Sequence, residues 1–347
     1  LNALAGLNPE SLSIIACPLT KGNLTIEPDH TLRSADGLNT YSIRDGVSNF
    51  LSSQHWEEQE AGQLERLLHI AHKEGYQKAI DTVMANAQYV TDVSRAAYLD
   101  LLPLNKDTCA LEIGASLGQH TKLIAQKCQH VEALEVIPGQ ALFAKLCCDQ
   151  EGFSNVNVSI GGENSQLPYQ DGVFDVIIMN YVLEWSAGLS RLDPHEAHEL
   201  LIRECKRVLK PGGTFFLSTK NRYNLRLLRG QVDEHVEFRF GNALPRWLMR
   251  AITKRYPASK SLGYLHSYGE LKGLFETAGF SRIDPLLALP DARYPRVYST
   301  FSDDDLARLR TDESLLSINN LVKVLLQYVP DKSIKWLAPS LVFIATK

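Results

Sequence analysis

The sequence predicts an α/β fold centred on a parallel sheet, with a small β-rich module before it and helical segments completing it. Three observations carry this. Between residues 108 and 219, short apolar runs end at a glycine turn, at Glu135, at Gly162-Glu163, at Asn180 and after a Lys-Pro-Gly-Gly reversal. Helical patterns separate those runs, the alternation expected of strands joined by crossover helices. Before them, residues 1–50 are crowded with turn signals: Cys17-Pro18, Lys21-Gly22, Asp36-Gly37 and Asp45-Gly46.

Length and composition set the bounds. A chain of 347 residues can bury a substantial core and hold one large domain plus an accessory unit. A formal charge of -4 and a pI near 6.2 give no global electrostatic reason to bind nucleic acid. The six cysteines form no CxxC pair, Cys147 and Cys148 being adjacent and Cys109, Cys128 and Cys205 lying in apolar patterns. Scattered cysteines of this kind read as buried thiols in a reducing compartment. No apolar run approaches a membrane span, and the N-terminus lacks a basic region followed by an apolar one. The expectation is a soluble, cytoplasmic protein, with its oligomeric state unread.

In the first segment, 1–52, the pieces Ser13-Ile14-Ile15-Ala16 and Tyr41-Ser42-Ile43 read as short strands between turns. Cys17-Pro18-Leu19-Thr20-Lys21-Gly22-Asn23-Leu24 resembles the opening Cys-Pro-x-Cys-x-Gly-x-Leu of a small zinc-ribbon-like module that accompanies or activates some methyltransferases. Thr20 replaces the second cysteine, and only Cys17 and His30 remain as ligands where zinc needs about four, so no metal is expected. Segment 53–102 reads as a helical linker or cap, with Val93, Ala96, Ala97 and Leu101 sharing one face. Residues 103–347 form the main domain, with lid insertions at about 220–266 and 291–335. Within it, 269–278 is a helix stopped by Gly279, and 340–346 is a final apolar strand.

The chemistry sits on the strand ends. Residues 108–113 run into Gly114-Ala115-Ser116-Leu117-Gly118, and a helix follows from about His120. Glycines there admit a ligand to the backbone. The strand 131–135 ends in Glu135, where a carboxylate can take both hydroxyls of a ribose. The strand 156–160 leads into Gly162-Glu163-Asn164-Ser165-Gln166-Leu167-Pro168-Tyr169. Phe174-Asp175-Val176-Ile177-Ile178-Met179-Asn180 and the Leu209-Lys210-Pro211-Gly212-Gly213 turn complete the order.

That order resembles the class I S-adenosylmethionine (SAM)-dependent methyltransferases. The resemblance implies a Rossmann-like seven-stranded sheet with helices on both faces, and SAM as cofactor. It places Glu112, Gly114, Ser116, Gly118, Glu135, Glu163, Asn164 and Asn180 around SAM, Glu163 and Asn164 standing at the Asp-Ala positions of a family run whose acidic side chain meets the adenine amine. Ser116 stands for the family's middle glycine.

Other readings compete. A dinucleotide oxidoreductase would want G-x-G-x-x-G, which the turn does not fit. Gly114-Ala115-Ser116-Leu117-Gly118 is also literally G-x-S-x-G, a hydrolase nucleophile elbow, with Asp175 and then His235 or His266 keeping the Ser–Asp–His order. That reading leaves Glu135 and Glu163 without a purpose. A non-catalytic scaffold and an RNA base methyltransferase are the remaining alternatives, a ribbon-like module before such a core being similar to certain rRNA base methyltransferases.

Residues 220–260 carry ten Lys and Arg against Asp233, Glu234 and Glu237 in a net acidic chain. They suggest a small anionic acceptor rather than nucleic acid or membrane. The resemblance of 221–280 is to bacterial methyltransferases of secondary-metabolite and polysaccharide pathways, which implies O-methylation of a metabolite or glycan intermediate. His235, His266 and Tyr268 are the candidate bases.

Overall fold

The computed structural model describes residues 7, 9–52, 61–233, 239–255 and 263–347. The chain divides into two compact units, residues 1–178 with 203–214, and residues 179–202 with 215–347.

The first unit starts with a meander of β1 (Leu24–Ile26), β2 (Thr31–Ser34), β3 (Thr40–Arg44) and β4 (Val47–Asn49), each pair antiparallel. Next to β4 lies β7 (Val156–Ile160), in parallel, then β6 (His130–Glu135), β5 (Cys109–Ile113) and β8 (Phe174–Asn180). Every residue of β6 and β7 is buried. That is the mark of parallel strands covered on both faces, and it explains why they read as unbroken apolar runs despite Glu132 and Asn157. These two polar residues satisfy each other and a neighbour: Asn157 Nδ2 donates to Glu132 Oε2 at 2.7 Å, and His130 Nε2 lies 2.8 Å from Glu132 Oε1.

The turn that follows Cys17 closes around a lone thiol. Cys17 Sγ accepts from the Thr20 amide at 3.5 Å and lies 3.1 Å from the Tyr41 hydroxyl, while Lys21 N–H closes onto the Cys17 carbonyl at 2.8 Å. Lys21 itself reaches Glu204 and Gln166, both at 2.7 Å. Burial raises the Glu204 carboxyl, but Arg207 and Lys21 outweigh it and hold it below its usual range.

The face expected for the helical cap is corrected. Val93–Leu101 is a 3-10 helix, burying Arg95, Ala96, Tyr98 and Leu99 while Val93 is 67% exposed. Three residues per turn put 95 with 98 and 96 with 99, a period the 3.6-residue reading could not find. Ahead of it, Ala61–Glu74 and Tyr76–Val83 pack Leu67, Ala71, Ala79 and Ile80 against Phe143 and Cys147 of helix Pro138–Gln150.

In the second unit β12 (Ser340–Thr346) lies between β9 (Leu209–Lys220, entering this unit at Phe215) and β10 (Arg282–Leu289). β11 (Val297–Ser299) closes the edge, antiparallel to β10. Helix Tyr268–Ala278 starts in a capping box of Ser267 and Glu270 and stops at Gly279, whose φ is 76°. After β11 the chain folds into helices Asp303–Thr311, Glu313–Leu316, Asn320–Tyr328 and Asp331–Leu337. Their Leu306, Leu309, Leu315, Val322, Leu325 and Ile334 close on Leu287 and Leu289 of β10 in one apolar cluster. Among the described residues no helix is long and apolar enough to cross a membrane.

Candidate active site

β5 ends in a turn whose shape depends on left-handed backbone. Gly114 and Gly118 both have φ 79°, and Ser116 between them has φ 50°. The amides of Gly114 and Ala115 both donate to the Leu134 carbonyl of β6, at 2.8 and 3.2 Å, so the turn is laced to the neighbouring strand. A Cβ on Gly118 would lie 3.1 Å from the Cα of Ala144, so the glycine is also required by close helix packing. The helix beyond is short, Thr121–Ala125.

Glu135 completes the lacing. Its Oε2 accepts from the Ser116 amide at 2.7 Å, and its Oε1 from the amides of Val136 and Ile137 at 2.8 and 3.0 Å. Burial raises this carboxyl above its ordinary value, and the three N–H donors oppose that shift. Glu112, at 4% exposure, is pushed up to about 8 by burial; the Thr121 hydroxyl, which donates to its Oε2, works against that, and the charge of Glu135 adds to it. Among the described residues no ion pair reaches Glu112. A buried acid without a cation is an incomplete electrostatic arrangement.

Glu163 follows β7, past Gly162 at φ 97°. Its Oε1 accepts from both the amide and the hydroxyl of Ser52, the amide at 2.6 Å. Asn164 beside it is exposed and left-handed, with φ 52°. The first unit thus brings together Glu112, Gly114, Ser116, Gly118 and Glu135 around one turn, with Glu163 and Asn164 at the end of the adjoining strand. Asn180 belongs to the second unit, where it accepts from the Ser218 hydroxyl.

The elbow reading required Asp175 to support a histidine. Asp175 instead takes Lys210 Nζ at 2.8 Å on both oxygens and the Cys109 amide at 2.9 Å, fixing the start of β8.

Of the three candidate bases, His235 lies outside the described residues. His266 is 1% exposed, and its Nε2 lies 2.7 Å from Nδ1 of His198, which is fully buried. Burial, then neighbouring His198 and Arg246, hold His266 well below the usual imidazole range; burial brings His198 down to about 3. Tyr268 packs its ring on Trp336 and Phe343, and burial raises its phenol. His198 went unnoticed in the sequence because it lies 68 positions from its partner, inside an ordinary helical pattern.

Four of the ten cations of the basic run are held in ion pairs among the described residues. Lys220 pairs with Asp233 at 2.9 Å, Arg226 with Asp291 at 3.5 Å, and Arg222 and Arg246 with Glu270 at 3.4 and 3.0 Å. Arg222, 5% exposed, also donates to the carbonyls of Asn242 and Leu244 at 2.8 and 2.6 Å. Two of the compensating acids, Glu270 and Asp291, lie beyond the run, which is why its local charge count overstated the free cations.

Comparison with known proteins follows the same lines. Residues 111–217 match a family model described as a methyltransferase domain. The biotin biosynthesis bifunctional protein BioHC of Cellvibrio japonicus is 30% identical over 145 residues, 41% of this chain and 26% of that protein. Malonyl-[acyl-carrier protein] O-methyltransferase 1 of Coxiella burnetii is 31% identical over 121 residues, 35% of this chain and 36% of that protein. The chain therefore spans only about a quarter to a third of these two relatives. A UPF0434 protein of Pseudomonas aeruginosa is 45% identical over 49 residues, 14% of this chain but 80% of that protein, a match that fits the N-terminal module.

Proposed function

The chain belongs to the class I SAM-dependent methyltransferases, with a UPF0434 segment at its N-terminal side, and from that premise we propose that it methylates a carboxylate oxygen of a small anionic acceptor. The observation that carries the cofactor half is the buried, cation-free Glu112 beside a turn whose left-handed backbone Gly114 and Gly118 supply. A ligand bearing a cationic amine completes that electrostatic arrangement, and the turn gives its chain room against the backbone. SAM fits, and when bound it supplies a methyl group activated by a sulfonium.

The residues then have distinct work. Glu112 gives up its proton to solvent as it takes a cationic amine. Glu135, already held rigid by three amides, presents the lone pair left on Oε2 to a ribose hydroxyl. Glu163 accepts from an adenine amine.

For the acceptor, the acid–base inventory of the described residues supports this reading. His266 is a weak base because burial disfavours its charged form, and Tyr268 is a core ring. A carboxylate is already ionised near neutral pH, so it attacks without a base, and the protein contributes alignment and exclusion of water. The malonyl-carrier methyltransferases among the relatives are named for an acceptor of this chemistry.

The test is transfer of labelled methyl from SAM to malonyl-carrier protein, to free short dicarboxylates and to total RNA. The expected product is a carboxyl methyl ester, releasing its label as methanol in mild alkali. Base-stable label in RNA would establish the RNA methyltransferase instead, and tight SAM binding with no transfer to any acceptor would favour the scaffold.

A further inference from the structure

The acid after β7 is not held by its own strand. Its partner is Ser52, 111 positions earlier, on the segment that leaves β4. The amide and the hydroxyl of Ser52 both donate to Oε1 of Glu163, and among the described residues no hydrogen bond reaches Oε2. One oxygen is therefore clamped and the other presented. The clamp is anchored: β4 pairs with β7 through Ser48 opposite Ser159 and Asn49 opposite Ile160, and the Phe50 amide extends the ladder to the Ile160 carbonyl at 2.8 Å.

The need for a clamp follows from side-chain length. Glutamate has one more rotatable bond than the aspartate found in the related motif, and that freedom must be lost before the carboxylate can read a ligand. Two donors to one oxygen remove most of it in advance, the general route by which preorganisation raises affinity.

We propose that Ser52 is a specificity-determining positioning residue: through Glu163 it makes the N-terminal module part of the device that reads the exocyclic amine of an adenine. This rests on the reading of the first unit as an adenosyl-cofactor site. The partner chemistry is defined by the amine, because an acceptor-only carboxylate rewards a donor and penalises a carbonyl at the same place.

The experiment is calorimetric titration of the full chain with S-adenosylhomocysteine and with its 6-oxo analogue, S-inosylhomocysteine. Wild type is expected to prefer the amine by about tenfold or more, the order of one charge-assisted hydrogen bond. Ser52→Ala should weaken the adenosyl ligand by about three- to tenfold and leave the inosyl ligand within about twofold, so that discrimination collapses. In a Glu163→Gln background Ser52→Ala should add nothing, since residues acting as one unit are not additive. Equal losses for both ligands in Ser52→Ala would mean a purely structural contact and would overturn the inference, as would unchanged discrimination. Wild type binding neither ligand would overturn the cofactor reading itself, and this inference with it; wild type binding both alike would overturn only the role of Glu163 and Ser52.

Discussion

A carboxyl group raised to about 8 in a buried strand end is a proton reservoir, and Glu112 is that group. The folded chain holds its proton above the pH at which the unfolded chain, near 4.5, releases it. Between those two values the folded state binds more protons, so this residue makes stability fall as pH rises, with a slope approaching about 1.4 kcal/mol per pH unit. Glu112→Gln should remove that slope from the ligand-free protein, as read by urea melts from pH 5 to 8. For a cationic ligand the sign reverses: binding expels the proton, so affinity rises with pH toward about 8, and it falls beyond that as the ligand's own α-amino group, at about 7.7–8.0, loses its charge. The same variant should bind SAM at least about tenfold more weakly and without that rise, because a neutral amide cannot pair with an ammonium. Measuring heat in buffers of different ionisation enthalpy checks it, and proton release that persists in Glu112→Gln would assign the reservoir to another group. The position of this acid was legible, since it precedes a glycine turn at a strand end. Its protonation was not, because that depends on how deeply the fold buries it and on Thr121 and Glu135 beside it.

At the level of elements, the glycine turn separates two uses of small residues. Gly118 is required twice, by φ 79° and by the approach of helix Pro138–Gln150 at Ala144. Gly118→Ala is therefore expected to cost about 1–3 kcal/mol, as left-handed strain and overpacking combine. Ser116 shares the left-handed conformation, but its contact with Glu135 runs through the main-chain amide. Ser116→Gly should leave stability within about 1 kcal/mol, relief of strain offsetting the freedom gained by the unfolded chain, and cofactor affinity nearly unchanged. Loss of all activity in Ser116→Gly would revive the nucleophile reading. The central strands were legible because parallel pairing buries both faces and writes continuous apolar runs. The 3-10 cap was not, because its period differs from the one sought, and the free charge of residues 220–260 was overread because Glu270 and Asp291 come from elsewhere in the sequence.

Across the whole molecule, the N-terminal module is tied to the first unit by too many kinds of contact to be a passenger. β4 extends the parallel ladder at β7, Ala16 N–H donates to the Pro168 carbonyl at 2.9 Å, and the Gln170 amide returns to Ile14 at 2.8 Å. Lys21 sits on Glu204, which Arg207 also grips at 2.7 Å. Removing residues 1–52 would uncover β7 as an edge with unpaired N–H and C=O groups, take Phe50 away from beside Gly161, and leave Glu204 with Arg207 as its remaining cation. Exposed flat edges of buried strands promote association between chains, and a carboxylate that keeps only one of its two cations loses part of its ion-pair stabilisation. The truncated chain is thus expected to be aggregation-prone and to unfold at markedly lower urea than the full chain. Where it stays soluble, its affinity for S-adenosylhomocysteine should fall at least as far as in Ser52→Ala, because the clamp on Glu163 goes with the segment. Adding the module back as a separate chain should restore part of both properties, since the pairing surface is intact but its local concentration is lost. A truncated chain that melts and binds as the full one does would show that the sheet needs no cover at β7 and that the cofactor site is built by residues 53–347 alone.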